Sequence, residues 1–254
     1  MIKRPINPNN LSVSVKKRKM DKNCQALHDA CDDFKTPMNI IQDIYNVCPD
    51  AALIQIDGKY TPISIAVESE FADAVHFLAN ACPEACSIRN DLGSTPLLSA
   101  TYKINRSNII DSIIIANPRA AFVGDNDGDS AFDTFFRIWN VFIRIAVCNQ
   151  SLNDKELDTF IGHGNWTIRD VYKKTCLFLK AANLCDGRKS FDDNCSLHCA
   201  FRKDSCHWAF CKLLMRLHPE QILARDADGN LPIHVILAAK NTSDEESFLC
   251  YDCY

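Results

Sequence analysis

The chain has 254 residues, 47% of them hydrophobic and 24% charged, with a formal net charge of −4. That balance belongs to a folded protein able to bury a sizeable core, and it excludes fibrous and disordered classes. Residues 1–22 hold seven Lys or Arg against one Asp, a net of +6, so the remainder carries −10 and is ill suited to phosphate-rich nucleic acid as its main ligand.

The tail, 1–22, has no apolar stretch of the secretory kind, so it reads as disordered and leaves the chain in a reducing compartment, cytoplasm or nucleus. Its basic residues form two clusters, Lys3-Arg4 and Lys16-Lys17-Arg18-Lys19. Their spacing resembles a bipartite nuclear import signal, which implies an importin-type receptor; a solubilising terminus is the plain reading.

From 23 to 240 three landmarks recur. Asp/Gly turns stand at Gly58, Gly93, Gly128 and Gly229, which are 35, 35 and 101 residues apart, the last close to three periods. Short helix openers follow or precede them: "QALHDA", "TPISIA", "TPLLSA", "SAFDTF", "CSLHCA" and "LPIHVI". Apolar helices then stop before Pro49, Pro83, Pro118 and Pro219. Glycine takes the positive φ of a turn without steric cost. Thr61-Pro62 and Thr95-Pro96 place a hydroxyl at an N-cap and proline in a first turn, where a missing N–H costs nothing. Isoleucines 40, 41 and 44 recur as Val75 and Leu78, as Ile109, Ile110 and Ile113, and as Phe210 and Leu214, the helical spacing of a buried stripe.

The count implies about six units. The fourth is lengthened by roughly 30 residues and spans 130–194, with the extra chain near 148–165; the fifth begins at Cys195. Phe132, Phe135, Phe136, Trp139 and Phe142 in the fourth predict a long helix packed in the array, with a partner-binding groove as the minor reading. The polar end, 241–254, holds Ser243 and Glu246 at capping-box spacing and predicts a short closing helix.

A turn and two short helices per period, with "TPLH"-like wording at Leu27-His28, Thr61-Pro62-Ile63, Thr95-Pro96-Leu97, Leu197-His198 and Pro232-Ile233-His234, resemble the ankyrin repeat family. The resemblance implies an all-α solenoid of helix pairs joined by turns. The family's Gly-Ala-Asp after the second helix is replaced by "PDAA", "PEAC", "PRAA" and "PEQI", and Asp133 stands where the motif has His. Ankyrin arrays bind protein partners and share no enzymatic activity. Carried onto this chain, the partner-binding positions are Lys59, Tyr60, Leu92, Ser94, Asp129 and Asn230 at turn tips, and Glu68, Ser69, Tyr102, Lys103, Arg202 and Lys203 on first helices. Tyr60, Tyr102 and Arg202 are the expected anchors, from residue types that dominate interfaces.

The alternative is a zinc or redox protein built on Cys185, Cys195, His198, Cys199, Cys206, His207 and Cys211. Zinc would want four such ligands, yet His198 sits at the motif histidine and Cys211 on the apolar stripe, where a free thiol serves as a small hydrophobe. Cys250 and Cys253 form a CxxC with no strand pattern around it. No phosphate-binding glycine loop, nucleophile elbow or HExxH is present. The reading is therefore non-enzymatic, without cofactor, metal or small-molecule substrate. No apolar run is long enough to span a membrane.

Overall fold

A computed structural model describes residues 22–56, 59–102, 107–148, 167–185, 196–202 and 208–240. Among these residues the chain is helical, and no strand is present. In order the helices are α1 (Lys22–Asp32), α2 (Met38–Val47), α3 (Pro62–Glu68), α4 (Ala72–Ala81), α5 (Pro96–Tyr102), α6 (Ser107–Ala116), α7 (Ala131–Cys148), α8 (Ile168–Cys185), α9 (Ser196–Arg202), α10 (Trp208–Leu217) and α11 (Pro232–Lys240).

The openers start helices by capping. Thr61 Oγ1 accepts from the Ser64 amide and Thr95 Oγ1 from the Leu98 amide at 3.2 Å, each satisfying a donor the first turn would orphan. In the fourth unit Ser130 Oγ accepts from the Asp133 amide at 3.1 Å and donates to the Asp133 carboxylate at 2.6 Å. Asp133, a departure from the sequence motif, therefore belongs to a cap. Thr167 and Asp170 repeat the arrangement at α8, and there the Asp170 carboxylate also takes the Thr167 amide.

The prolines that stop the second helices also begin something. Pro49–Leu53, Pro83–Ser87, Pro118–Phe122 and Pro219–Ile222 are each a 3₁₀ turn with proline at its first position. The residue before each proline has nearly one conformation: Cys48 at φ −141° and ψ 76°, Cys82 at −143° and 73°, Asn117 at −142° and 86°, and His218 at −134° and 66°. A following proline ring bars the helical region there. These turns are the path taken where the ankyrin motif has Gly-Ala-Asp. In the first three of them the small residues, Ala51 and Ala52, Ala85 and Cys86, and Ala120 and Ala121, are buried, so small side chains fill those joints, whereas Gln221 is the buried residue of the fourth.

Neighbouring units meet along their length. Helix α3 packs on α1 and α5, and α5 on α7; α4 packs on α2 and α6, and α6 on α8. Hydrogen bonds join residues about one period apart: Tyr45 Oη to the Ala81 carbonyl at 2.9 Å, Ser69 Oγ to Asp32, Asn117 Nδ2 to the Pro83 carbonyl at 2.8 Å. One apolar cluster runs through Leu27, Ile41, Ile63, Leu78, Leu97, Ile110, Phe178 and Phe210.

The fourth unit differs. Part of its extra length is in α7 and α8, 18 residues each, against seven and ten in α5 and α6, while 149–166, where the sequence places the extra chain, lies outside the described residues. Phe132, Phe135, Phe136 and Trp139 are buried, and Phe135 stacks on Phe178 at 4.6 Å between centroids. These four side chains fill a core instead of lining a groove, and that of Phe142 lies outside the described residues. Beyond it the pairing changes, α9 packing on α8 and α10 on α7. Lys174 of α8 is buried and ion-paired with Asp111 of α6. No helix among the described residues is long and apolar enough to cross a membrane.

Candidate functional site

Three turns share one hydrogen-bond scheme. In each, an Asn or Asp three residues before glycine closes the loop with its backbone, Asn90 to Ser94 at 3.0 Å, Asp125 to Asp129 at 3.0 Å and Asp226 to Asn230 at 2.9 Å. The same residue's side-chain oxygen takes two amides: Asn90 those of Leu92 and Ser94, Asp125 those of Asp127 and Asp129, Asp226 those of Asp228 and Asn230. Glycine then supplies the left-handed residue, φ 81° at Gly93, 90° at Gly128 and 82° at Gly229. The first turn closes in the same way, from the Ile56 amide to the Tyr60 carbonyl at 2.9 Å.

Long donors brace these loops. Arg89 Nε donates to the Gly93 carbonyl at 2.9 Å and Arg225 Nη1 to that of Gly229 at 2.7 Å, while Gln55 Nε2 reaches the Lys59 and Arg89 carbonyls. Arg89 also donates to Asn126 in the next turn at 3.1 Å, and Asn126 Nδ2 to the Asp91 carbonyl. The first three tips are thus held in register with one another. The column Gln55, Arg89, Arg225 was visible in the sequence as a long donor before the turn, and motif reading passed over it.

Against this frame the sequence-predicted partner positions separate. Tyr60, Leu92 and Tyr102 are exposed, at 41%, 68% and 53%. Lys59 is exposed and lies 3.6 Å from Asp91; Glu68 is exposed at the end of α3. Ser69 is half-buried and bonds Asp32. Ser94 and Asn230 are half-buried and close their turns through backbone atoms. Asp129 receives both guanidinium nitrogens of Arg137, at 3.2 and 2.8 Å, which holds Arg137 above its ordinary range. Arg202 is largely buried and ion-paired with Asp226. Burial alone would raise Asp226, but the Asn230 amide and Arg202 outweigh it and leave the carboxylate below its usual range. Arg202 thereby fixes the last turn from behind. Lys103 and Lys203 lie outside the described residues, as do Lys3, Arg4, Lys16, Lys17, Arg18 and Lys19.

Two histidines of the motif, His28 and His198, act between units, whereas His234 accepts from the Leu231 amide within its own unit. His28 Nε2 lies 2.9 Å from the Ile54 carbonyl and His198 Nε2 2.9 Å from that of Asn230, each in the connection to the next unit. A carbonyl can only accept, so Nε2 is the donating nitrogen, and His198 Nδ1 is buried without a hydrogen-bond partner among the described residues. Of the suggested metal ligands, Cys199 and Cys211 are buried and Cys185 is exposed; Cys195, Cys206 and His207 lie outside the described residues. Among the described residues no three His, Cys, Asp or Glu side chains are grouped to hold a metal. Burial pushes the Cys31 and Cys86 thiols up to about 12, so neither is a nucleophile near neutral pH.

The charge facing solvent at the tips is mainly carboxylate, from Asp91, Asp127 and Asp228. An arrangement of exposed tyrosine and leucine over a braced acidic rim can hold a partner by apolar anchoring, with orientation set by charge. No protein-family model matches the chain, and no curated protein does either.

Proposed function

We propose that the chain is a non-enzymatic ankyrin-like solenoid that binds a partner protein through its turn tips and the exposed side of its first helices. The repeated turn scheme carries this reading. Backbone and Asn or Asp side chains are consumed in holding the tips, which leaves Tyr60 and Leu92 exposed on them, with Tyr102 exposed at the end of α5. Large rigid side chains on a pre-ordered frame lose little entropy on binding. Stacked units of this kind present a long continuous surface suited to a protein. The basic tail is the proposed import signal of the same protein, through an importin-type receptor, which would place the scaffold in the nucleus as well as the cytoplasm.

The test is a triple variant, Tyr60→Ala, Leu92→Ala and Tyr102→Ala, used as bait beside the parent chain. The expected result is loss of the parent's captured partners with helicity and melting midpoint unchanged. Retention of the same partners at the same yield sinks the surface; a collapse of helicity instead makes these residues structural.

A further inference from the structure

The exposed side of the first helices changes character from α1 to α9, while the closing helix expected at 241–254 lies outside the described residues. The seventh residue of α3, α5, α7 and α9 is Glu68, Tyr102, Arg137 and Arg202, and Asp32 stands in the same column of α1. Both arginines are neutralised from within the fold, Arg137 by Asp129 and Arg202 by Asp226. The carboxylates of α1 are not. Asp32 takes its hydrogen bond from the uncharged Ser69, and Asp29, one turn earlier and also exposed, from Gln25. Across 25–35 and 62–70 the exposed Asp29, Asp32, Asp33, Glu68 and Glu70 stand against Lys35, five carboxylates to one cation and a net of −4. An aromatic side chain lies at each end of this stretch, Phe34 at 64% exposure and Tyr102 at 53%. The Phe34 ring already carries a cation, with Lys35 Nζ 5.7 Å from its centroid.

We propose that this open helix face, on units one to three, takes an extended Lys- and Arg-rich segment of the partner, its cations over Asp29, Asp32 and Glu68 and an apolar side chain against Tyr102. The inference rests on the partner-binding reading above and adds the chemistry of what is bound. Helix α3 packs on both α1 and α5, so the three first helices stand side by side. Neighbouring axes about 8–10 Å apart put the ends of α1 and α5 roughly 20 Å from each other, the span of about six extended residues. Complementarity of charge selects the occupant. The acidic end attracts a basic segment and repels an acidic one, while units four and five, where each arginine is already paired, offer no net charge of either sign to compete. Apolar contact at Tyr102 keeps water from the adjoining charge pairs, and that strengthens them.

Fluorescence anisotropy of the full chain reads this contact with a labelled peptide in which alternating lysines and arginines stand between two leucines. The parent chain is expected to bind it, less tightly as salt rises, and to ignore the peptide with glutamates in place of the cations. Asp29→Asn with Asp32→Asn keeps an acceptor for Gln25 and for Ser69, so the fold stays, and is expected to weaken binding about tenfold or more. Asp43→Asn with Asp73→Asn removes the same charge from exposed positions on α2 and α4 and is expected to change binding less than about twofold. Equal losses in the two variants overturn the proposal, since bulk charge alone would then draw the peptide. So does a parent chain that does not bind, or binding that Asp29→Asn with Asp32→Asn leaves intact. The underlying reading falls separately, when the Tyr60, Leu92 and Tyr102 triple variant keeps every captured partner; loss of those partners beside unchanged peptide binding in the α1 variant removes this inference alone.

Discussion

The joints among the first three units and the joint made by the fourth solve the same packing problem with different materials. Between units one, two and three the contact is close and small: paired alanines or an alanine and a cysteine in each 3₁₀ turn, crossed by hydrogen bonds one period apart. At the fourth unit the filling is large, with Phe132, Phe135, Phe136, Trp139 and Phe178 in mutual contact and buried Lys174 paired with half-exposed Asp111 alongside. Small side chains permit a regular repeat because every joint can have the same geometry. Large ones hold two long helices at a distance the repeat does not set, and the stacking order beyond them changes accordingly.

If the aromatic joint is what couples the two halves, its removal should uncouple them. Phe178→Ala deletes a fully buried ring that touches α7 partners and is expected to cost about 3–5 kcal/mol. In an array whose units stabilise only their neighbours, such a loss separates the unfolding of units one to three from that of units five and six. Chemical denaturation followed by circular dichroism should therefore split from one transition into two. A single transition shifted by under about 1 kcal/mol would show that the halves are joined elsewhere.

The regular joints can be probed at two glycines that differ only in their neighbours. Both Gly93 and Gly128 hold positive φ, a strain of about 1–2 kcal/mol for alanine. A Cβ on Gly128 meets nothing within 4 Å, whereas one on Gly93 would stand 2.6 Å from the Asn126 backbone nitrogen in the next turn. Gly128→Ala should thus show the strain alone, while Gly93→Ala adds an overpacking cost of about 1–3 kcal/mol. Equal losses for the two variants would mean that the tips move apart freely and are not held in register.

Much of this was legible in the sequence, and what was missed has local causes. Thr61 and Thr95 cap, glycines 93, 128 and 229 take positive φ, and the aromatic run from Phe132 lies in a long helix, all as the residue types dictate. In the turn "NDLG" Asn90 and not the aspartate of the Asp/Gly pattern shapes the loop, because a side-chain acceptor reaches the amides two and four residues ahead of it. Proline is legible as a helix stop and silent about the path of the chain beyond it, so the 3₁₀ turns could not be foreseen. Arg202 and Asp129 read as free surface charges since their partners, Asp226 and Arg137, lie 24 and 8 residues away. Exposure of Tyr60 and Tyr102 comes from their place at the loop and at a helix end, which is why that part of the candidate surface could be named beforehand.

The smallest effect separates frame from surface most cleanly. Lys59 and Asp91 lie 3.6 Å apart in adjacent tips, with side chains 51% and 48% exposed. Pairs so exposed contribute about 0–1 kcal/mol and are screened by salt. Lys59→Ala should shift stability by less than about 0.5 kcal/mol, and that shift should vanish in high salt. The register of the tips is meanwhile kept by Gln55, Arg89 and Asn126, whose bonds run to backbone or uncharged acceptors and are less sensitive to salt. Any loss of partner capture in Lys59→Ala then belongs to the partner contact, because the frame that presents position 59 is unchanged. A stability loss above about 1 kcal/mol would instead make the ion pair part of the frame, and the regular joints would then depend on charge.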